Sequence, residues 1–435
     1  MGRRGFTTRQ VHDRGPLASA TSRTTPIHLT AGFEFAEYDD AAAHFGQGAG
    51  FAYTRTGNPT IEAVEGHLAA LEGGSQALLT ASGQAALTVA LLGLLEAGQH
   101  VVVSTHIYEG TRGLIRDSLA RVGISASFVS DIGDPAAWEA EIRPETRALI
   151  AESISNATNR ILDVEAVAAV AHRHGIPLIV DSTFATPYLQ RPIEHGADIV
   201  IHSASKFLAG HGSVLGGAII DSGRFDADRS GHLFPHLVAP GRNGAPSLYE
   251  RAGGDARIVY AREAVAQRYG PTASPLNAFL IGQGIETLSL RVERQSQNAL
   301  AVARWLAAQP QVVSVDYVGL PSHPDHALAD RYLTDGYGSV FSFTLDGDAG
   351  TARRFVEALD VFTHMTHLGD VRSLVLHPAT TSHIQLTEAE RAAVGVFDST
   401  LRLSIGIEDS ADLIDDLQQA LAALAVRAEA VAPAR

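Results

Sequence analysis

A chain of 435 residues is longer than one minimal hydrophobic core requires, so two domains are expected. The formal net charge of −15 would repel an extended phosphate backbone, and no basic cluster beyond the first few residues offsets it, so nucleic acid is not expected as a partner. The sequence contains no cysteine, which excludes disulfides, thiolate metal ligands and a cysteine nucleophile, and we expect no metal site.

The first eight residues, MGRRGFTT, contain an arginine pair similar to that of a twin-arginine export signal. No apolar segment follows this pair, so we expect a cytoplasmic location. The longest apolar stretch, residues 85–95, is much shorter than the roughly 20 residues that span a bilayer. We therefore predict no membrane segment.

Residues 1–57 are rich in turn-forming residues and predict an arm that has no core of its own and packs on something else. A helix is predicted directly after the arm, because Asn58 can cap it and Pro59 suits the first helical position. Apolar residues then repeat at helical spacing until Gly73 and Gly74, where the helix should end.

Short apolar runs then alternate with helical patterns up to about residue 298. The predicted strands cover residues 77–81, 101–104, 147–152, 176–180, 199–202 and 214–220, and the helical patterns cover 85–97, 111–122 and 164–174. The strands are apolar throughout, as expected when helices cover both faces of a mostly parallel sheet. Residues 58–298 are therefore predicted to form a large α/β domain.

The remainder, residues 299–435, predicts a smaller α+β domain. Its helices are expected at 300–307, 352–359 and 413–424, and its strands at 312–318, 339–344 and 401–405. Between the two sets of elements, residues 222–260 are rich in loops.

The segment IVIHSASKFLAGHGSVLGG, residues 199–217, places a lysine at the end of an apolar strand. Lys206 would be costly to bury unless it is paired or neutralised, and forming an imine with an aldehyde neutralises it. Ser203 and Ser205 precede it and can bond a phosphate. Taken alone, Lys206 is still better explained as a solvated residue.

Asp181 ends the strand 176–180 inside the motif IVDSTFATP. In an open parallel sheet ligands bind at the carboxyl ends of strands, which places Asp181 and Lys206 at the same edge. A carboxylate there can pair with the pyridine nitrogen of pyridoxal phosphate and keep it protonated, so that the ring accepts electrons from the substrate. Pyridoxal phosphate is therefore the predicted cofactor.

A phosphate is expected where a strand passes into a helix at ASGQ. Free N–H groups and the helix dipole favour an anion there, and Gly83 permits close approach. Tyr108, after the strand 101–104, can stack on a cofactor ring. Taken singly, ASGQ is a common strand-to-helix turn and Tyr108 is an ordinary packing residue.

Five motifs together resemble the pyridoxal-phosphate enzymes of cysteine and methionine metabolism. In chain order they are YTRTGNPT, ASGQAAL, VDSTFATP, HSASKFLAGHG and LRLSIGIED. The resemblance extends from about residue 6 to residue 425. It implies an α/β fold of the aspartate-aminotransferase type (fold type I), with a mostly parallel central sheet and a smaller C-terminal α+β domain. It also implies a homotetramer, a dimer of dimers, with active sites shared between subunits.

The resemblance implies roles for individual residues. Lys206 would form the Schiff base with the cofactor, and Asp181 would pair with the pyridine nitrogen. The other implied cofactor contacts are Gly83, Gln84, Ser203 and Ser205 at the phosphate, Tyr108 on the ring, Asn156 near the phenolic oxygen, and Tyr53 and Arg55 reaching the phosphate of a neighbouring subunit. Arg402 would bind the substrate carboxylate, for which a planar bidentate donor is suited. Tyr108 and Tyr53 are implied to assist Lys206 in proton transfer.

Within this family the chain most resembles O-acetylhomoserine sulfhydrylases, through its length and the segments 274–299 and 368–383. The implied reaction is γ-replacement, in which O-acetyl-L-homoserine and sulfide give homocysteine and acetate. The expected partners are thus a small amino acid and a small nucleophile. A lysine with its free pKa of about 10.4 would be a poor base, so a buried site must hold Lys206 neutral between steps.

Four residues depart from the sulfhydrylase pattern. Glu109 stands where glycine is usual, Ala157 where proline is usual, Ser205 where threonine is usual, and His367 where asparagine or serine is expected. If Glu109 and His367 face the substrate, they add a carboxyl group and an imidazole near its Cβ or Cγ. Otherwise Glu109 is a solvated loop residue and His367 fills space.

These departures leave two other functions open. One is a γ-lyase, or a γ-substitution enzyme for an unusual amino acid of secondary metabolism. The other, of a different class, is a catalytically silent protein that binds pyridoxal phosphate. The presence of Lys206, Asp181 and Arg402 argues against a silent protein.

Overall fold

The structure of the protein is a computed structural model that describes residues 5–13, 22–48, 50–156 and 158–430. The arginine pair at positions 3 and 4 and the departure at Ala157 lie outside the described residues. Within the described part of the chain, no helix combines the length and the apolar character that crossing a membrane requires.

The N-terminal segment contains two helices that the sequence analysis did not predict, α1 (Phe6–His12) and α2 (Tyr38–Gln47). Tertiary contacts hold α1, since Gln10 is buried and its amide donates to Ser289 Oγ at 2.8 Å. A reciprocal capping box at Glu37 starts α2. Short helices of this kind depend on such contacts more than on sequence periodicity.

The predicted helix after Asn58 is confirmed as α3 (Pro59–Glu72). The side-chain oxygen of Asn58 accepts a hydrogen bond from the N–H of Thr60 at 3.0 Å, which caps the first turn. Gly73 ends the helix in the left-handed conformation with φ 77°.

A seven-stranded sheet forms the centre of the larger part of the molecule. Its strands are β1 (Gln76–Thr80), β2 (His100–Ser104), β3 (Ser125–Val129), β4 (Thr146–Glu152), β5 (Leu178–Asp181), β6 (Ile199–His202) and β7 (Gly217–Asp221). The strand order is β1-β7-β6-β5-β4-β2-β3, with β7 antiparallel to both of its neighbours and the other pairs parallel. The predicted mostly parallel sheet is confirmed.

Helices lie between these strands and after them. They are α4 (Gly83–Leu92), α5 (Glu109–Gly113), α6 (Pro135–Ala140), α7 (Val164–Arg173), α8 (Thr186–Leu189), α9 (Ala227–Ser230), α10 (Pro235–Val238), α11 (Leu248–Ala252), α12 (Ala256–Tyr260), α13 (Gln267–Tyr269) and α14 (Pro275–Ile285). The stretch 222–260, expected to be rich in loops, thus contains four short α-helices and two 3-10 turns.

Consecutive residues of the central strands belong to two different hydrophobic clusters. Leu178 and Val180 pack into one, whereas Ile179 packs into the other. Both faces of the sheet are therefore buried, which explains why these strands are apolar throughout. By contrast, the edge strand β3 (SASFV) is partly polar and partly exposed, and the sequence analysis missed it.

A second, five-stranded sheet follows. Its strands are β8 (Val312–Asp316), β9 (Val340–Leu345), β10 (Thr363–His364), β11 (Leu374–Leu376) and β12 (Thr400–Ser404), in the order β10-β11-β12-β9-β8. The accompanying helices are α15 (Leu288–Ala307), α16 (His326–Tyr332), α17 (Ala349–Glu357), α18 (Glu388–Ala393) and α19 (Ser410–Ala430).

The division into residues 1–57, 58–298 and 299–435 stays a prediction. Its second boundary lies inside α15, a continuous helix of 20 residues. The C-terminal half of that helix, from Ala299 to Leu306, shares a hydrophobic cluster with β9, β12 and α19.

Candidate active site

The carboxyl ends of β4, β5 and β6 open into a cavity of about 850 Å³. Glu152 is the last residue of β4 and pairs in the sheet with Asp181, the last residue of β5. Lys206 lies just after β6. Arg402 on β12 and His367 on the chain before β11 line the same cavity, so both sheets contribute to it.

Lys206 lies partly buried in this cavity, with its Nζ 3.2 Å from Nδ1 of His367. Burial, and then the positive charge of Arg402, lower the pKa of Lys206 to about 8. The same lysine is the only one in the sequence, a signal that our reading of the motifs did not use. Any chemistry that needs a lysine side chain must take place here.

Arg402 is 4% exposed and its guanidinium reaches two partners. It donates to Asn156 Oδ1 at 3.2 Å and to the carbonyl oxygen of His367 at 3.3 Å. Burial lowers its pKa to about 10, so the group still carries its charge at neutral pH. Both of these acceptors are neutral, so this buried cation is suited to receive a carboxylate.

Asp181 occupies the end of β5 as expected. The N–H of Thr183 donates to its Oδ1 at 3.0 Å, while the hydroxyl of Thr183 accepts from the N–H of Ser203 at 2.8 Å. Burial raises the pKa of Asp181 because it disfavours the charged carboxylate. A cationic partner in the cavity would offset that effect.

The start of α4 provides an anion site that a larger residue would fill. Ser82 caps the helix by accepting from the N–H of Ala85 at 3.1 Å. A Cβ atom on Gly83 would lie 2.8 Å from Cβ of Ser203, so only glycine allows this approach. Gln84 and Ser203 line the cavity beside it. Free N–H groups at such a helix start favour a phosphate.

Ser205 has a second role within the chain. Its buried hydroxyl donates to the carbonyl oxygen of Gly216 at 3.1 Å and accepts from the N–H of the same residue at 3.0 Å. The hydroxyl therefore fastens the segment just before Lys206 to the residue that precedes β7. Its contact with a phosphate stays a prediction.

Glu152 is a cavity residue that the sequence analysis missed. Its Oε1 accepts from the N–H of Tyr108 at 2.7 Å, and its Oε2 accepts from the N–H of Asn156 at 2.9 Å. It thereby holds the two segments that carry Tyr108 and Asn156. Burial and the nearby charge of Asp181 raise its pKa. Like Asp181, it is an acid at the end of an apolar strand, which is a signal in the sequence.

Tyr108 and Glu109 lie side by side on the cavity wall. Tyr108 is 47% exposed in this chain. The carboxylate of Glu109 accepts from Nε of Arg112 at 3.0 Å, and its side chain is 11% exposed. Burial raises the pKa of Glu109, and Arg112 counteracts this. Glu109 thus lines the cavity but is already paired.

The chain does not bring Tyr53 and Arg55 to Lys206. Both line a separate, open depression of about 460 Å³, together with Leu29 and Thr272. Tyr53 is 46% exposed, and the Arg55 guanidinium carbon lies 5.1 Å from the centre of its ring.

Comparisons with known proteins agree over almost the whole chain. The sequence model of the family "Cys/Met metabolism PLP-dependent enzyme" matches residues 7–422. A homocysteine synthase of Schizosaccharomyces pombe is 41% identical over 96% of this chain and 98% of its own length. An O-acetyl-L-homoserine sulfhydrylase of Corynebacterium glutamicum is 42% identical over 97% of both chains.

A solved structure has the same fold. It is a Campylobacter jejuni protein assigned as an O-acetylhomoserine (thiol)-lyase, which contains N'-pyridoxyl-lysine-5'-monophosphate. The two structures agree with a TM-score of 0.91 at 35% identity, over 96% of this chain and 100% of the other. This likeness confirms the expected fold type.

Proposed function

The chain belongs to the Cys/Met metabolism family of enzymes that depend on pyridoxal phosphate, and on that premise we propose that it catalyses γ-replacement on O-acetyl-L-homoserine. Sulfide forms a bond to Cγ, the bond from Cγ to the acetoxy oxygen breaks, and the products are homocysteine and acetate. The observation that carries the proposal is the cavity itself, where the only lysine, a buried carboxylate and a buried arginine line one space.

The residues in this cavity fit the cofactor. Lys206 offers the amine, Asp181 offers a carboxylate that would gain from a cationic pyridine nitrogen, and the glycine cradle at Gly83 leaves room for a phosphate. The full proposed set of contacts is Lys206, Asp181, Gly83, Gln84, Ser203, Ser205, Tyr108 and Asn156, with Tyr53 and Arg55 from a neighbouring subunit. When bound, pyridoxal phosphate supplies an electron sink for the carbanion formed at the substrate.

Lys206 is proposed to move the protons of the reaction. With a pKa of about 8, roughly one molecule in ten has an uncharged amine at neutral pH, whereas an unperturbed lysine would have fewer than one in a thousand. This amine can take the proton from Cα of the substrate. Tyr108, with its exposed ring beside the cavity, is the proposed helper, together with Tyr53 of a neighbouring subunit.

Arg402 is proposed to orient the substrate. A bidentate bond from its guanidinium to the substrate carboxylate would fix the direction of the Cα–H bond toward Lys206. The bond to Asn156 holds the guanidinium in place before substrate enters. Glu109 and His367 are proposed to contact the part of the substrate near Cβ and Cγ, since both line the same cavity.

We also propose a homotetramer, built as a dimer of dimers, and a cytoplasmic location. The N-terminal segment supports an assembly, because it exposes large apolar side chains that isolated monomers rarely display. They are Ile27, Leu29, Phe35, Tyr38 and Phe45. Analytical ultracentrifugation of the full chain tests this, and a monomer at micromolar concentration would contradict it.

The reaction is tested with O-acetyl-L-homoserine, in the presence and absence of sulfide. We expect homocysteine and acetate in equal amounts when sulfide is present. The γ-lyase alternative predicts 2-oxobutyrate as the main product under both conditions. If the purified chain takes up no pyridoxal phosphate and makes neither product, the proposal of an enzyme is wrong.

A further inference from the structure

The imidazole of His367 contacts Lys206 on one side and, within the described part of the chain, has no hydrogen-bond partner on the other. Nδ1 lies 3.2 Å from Nζ of Lys206. Nε2 is buried and has no hydrogen-bond partner among the residues that the structure describes. Among the described residues, Lys206 is therefore the one polar group that the ring nitrogens of His367 contact.

The charged groups that face this ring come from three segments. They are Lys206 from the turn after β6, Arg402 from β12, and Asp370 and Arg372 from the chain that follows His367. Burial, and then the charge of Lys206, lower the pKa of His367 to about 4. At neutral pH the ring is thus uncharged and carries one proton, on either Nδ1 or Nε2.

The two positions of that proton differ in cost. On Nε2 it would be a buried N–H donor without an acceptor, which folded proteins rarely tolerate. A bare nitrogen without a partner is tolerated more often. On Nδ1 the proton points to the nitrogen of Lys206, which can accept it only through the lone pair of an uncharged amine.

We propose that His367 is a positioning residue that donates its Nδ1–H to the nitrogen of Lys206 and so favours the uncharged amine form of this lysine. The proposal rests on the function proposed above, in which Lys206 binds the cofactor through its amine. An amine has the lone pair that attack on an aldehyde requires, whereas an ammonium group has none. Burial and the charge of Arg402 act in the same direction.

The reverse arrangement predicts an effect of opposite sign. If Nδ1 accepted a hydrogen bond from an ammonium group, it would stabilise the charged form and raise the pKa of Lys206. Removing His367 would then make the lysine less basic. If His367 donates, its removal makes the lysine more basic.

Three substitutions separate these cases. His367→Asn and His367→Asp have the same shape, but only the amide can donate a hydrogen bond, and His367→Leu removes both ring nitrogens. The full chain is freed of cofactor and treated with a limiting amount of an acetylating reagent at a series of pH values. Mass spectrometry of the peptide that contains residue 206 measures how far Lys206 is acetylated, and the pH at which this extent is half-maximal is the inflection. Because the sequence has no other lysine, no second lysine side chain competes for the reagent.

We expect the wild type and His367→Asn to share an inflection at about pH 8 or lower. The inflection should rise by about one unit in His367→Leu and by more in His367→Asp, where a carboxylate stabilises the ammonium form. An inflection in His367→Leu at or below that of the wild type, or an inflection in His367→Asn clearly above it, would overturn the proposal. The rise in His367→Asp is expected in either arrangement and shows that the assay responds to charge at position 367. Circular dichroism verifies that each variant is folded.

Borohydride treatment separates this proposal from the proposed function. In the loaded wild-type protein it should add the mass of the reduced cofactor to the peptide with Lys206. If no mass is added, the proposed function fails, whatever the inflections are. If mass is added but the inflections contradict the expected order, only the role of His367 fails.

Discussion

The cavity around Lys206 and the depression around Tyr53 are built in different ways. Strand ends hold the cavity residues, and hydrogen bonds within the chain fasten several of them, such as the bond from Arg402 to Asn156. Tyr53 and Arg55 lie instead on an arm that exposes apolar side chains, in an open depression with no residue in common with the cavity.

One chain therefore completes some parts of the proposed site by itself and leaves other parts to another surface. A sheet with both faces buried positions its strand ends rigidly, so the cavity residues need no partner to meet. An arm with an apolar exposed side gains its final surroundings from another surface. Four substitutions test this contrast between the two regions.

The largest effect is expected in the cavity at Lys206. Lys206→Ala should abolish turnover and the attachment of the cofactor, because no other lysine can replace it. Lys206→Arg is the matched variant, since it keeps a positive charge but cannot form an imine. Absorption spectra and mass spectrometry after borohydride measure the attachment. Turnover retained in either variant would contradict the role of Lys206.

Arg402→Ala should lower kcat/KM for O-acetyl-L-homoserine by roughly 100-fold, about 2.7 kcal/mol, because the substrate carboxylate loses a charged, bidentate donor. Binding of the cofactor should change much less. The surface variant Arg353→Ala, at an exposed position of α17, serves as the control. Steady-state kinetics give the ratio, and equal losses in both variants would exclude a specific role for Arg402.

Arg55→Ala tests the arm. If Arg55 binds the phosphate of a neighbouring subunit, the variant should bind pyridoxal phosphate about tenfold more weakly. Mixing it with Lys206→Ala, after dissociation and reassembly and at a cofactor concentration that leaves the Arg55→Ala sites mostly empty, should restore activity to about a quarter of the wild type. Half of the dimers are then mixed, and one of the two sites in each mixed dimer is intact. Mixtures no more active than their components would show that each chain completes its own site.

The smallest effect is expected for Glu109→Gln. The carboxylate of Glu109 would repel hydrosulfide, so its removal should lower KM for sulfide. Arg112 already compensates most of this charge, so the change should not exceed about threefold. Kinetics at varied sulfide concentration measure it. A loss of more than tenfold in kcat would show that the carboxyl group takes part in the reaction.

Periodicity predicted the central sheet well and its margins less well. Strands β2, β4, β5 and β6 are apolar because both of their faces are buried, and this leaves a clear signal in the sequence. The edge strand β3 is half exposed and carries serines, so no comparable signal marks it. The helices α1 and α2 are short and depend on docking and capping, which a periodicity search does not detect.

From the sequence alone it follows that Asp181 ends one strand and that Lys206 comes shortly after another, because local patterns of burial define where strands stop. Glu152 could have been found in the same way. The contact between the ring of His367 and Lys206, 161 residues apart in the chain, comes from the tertiary structure, which also leaves Nε2 of this ring without a partner among the described residues. Contacts between the two sheets depend on how the chain folds back on itself, and no local sequence pattern encodes contacts between residues so far apart in the chain. The charge state of the lysine therefore follows from the fold.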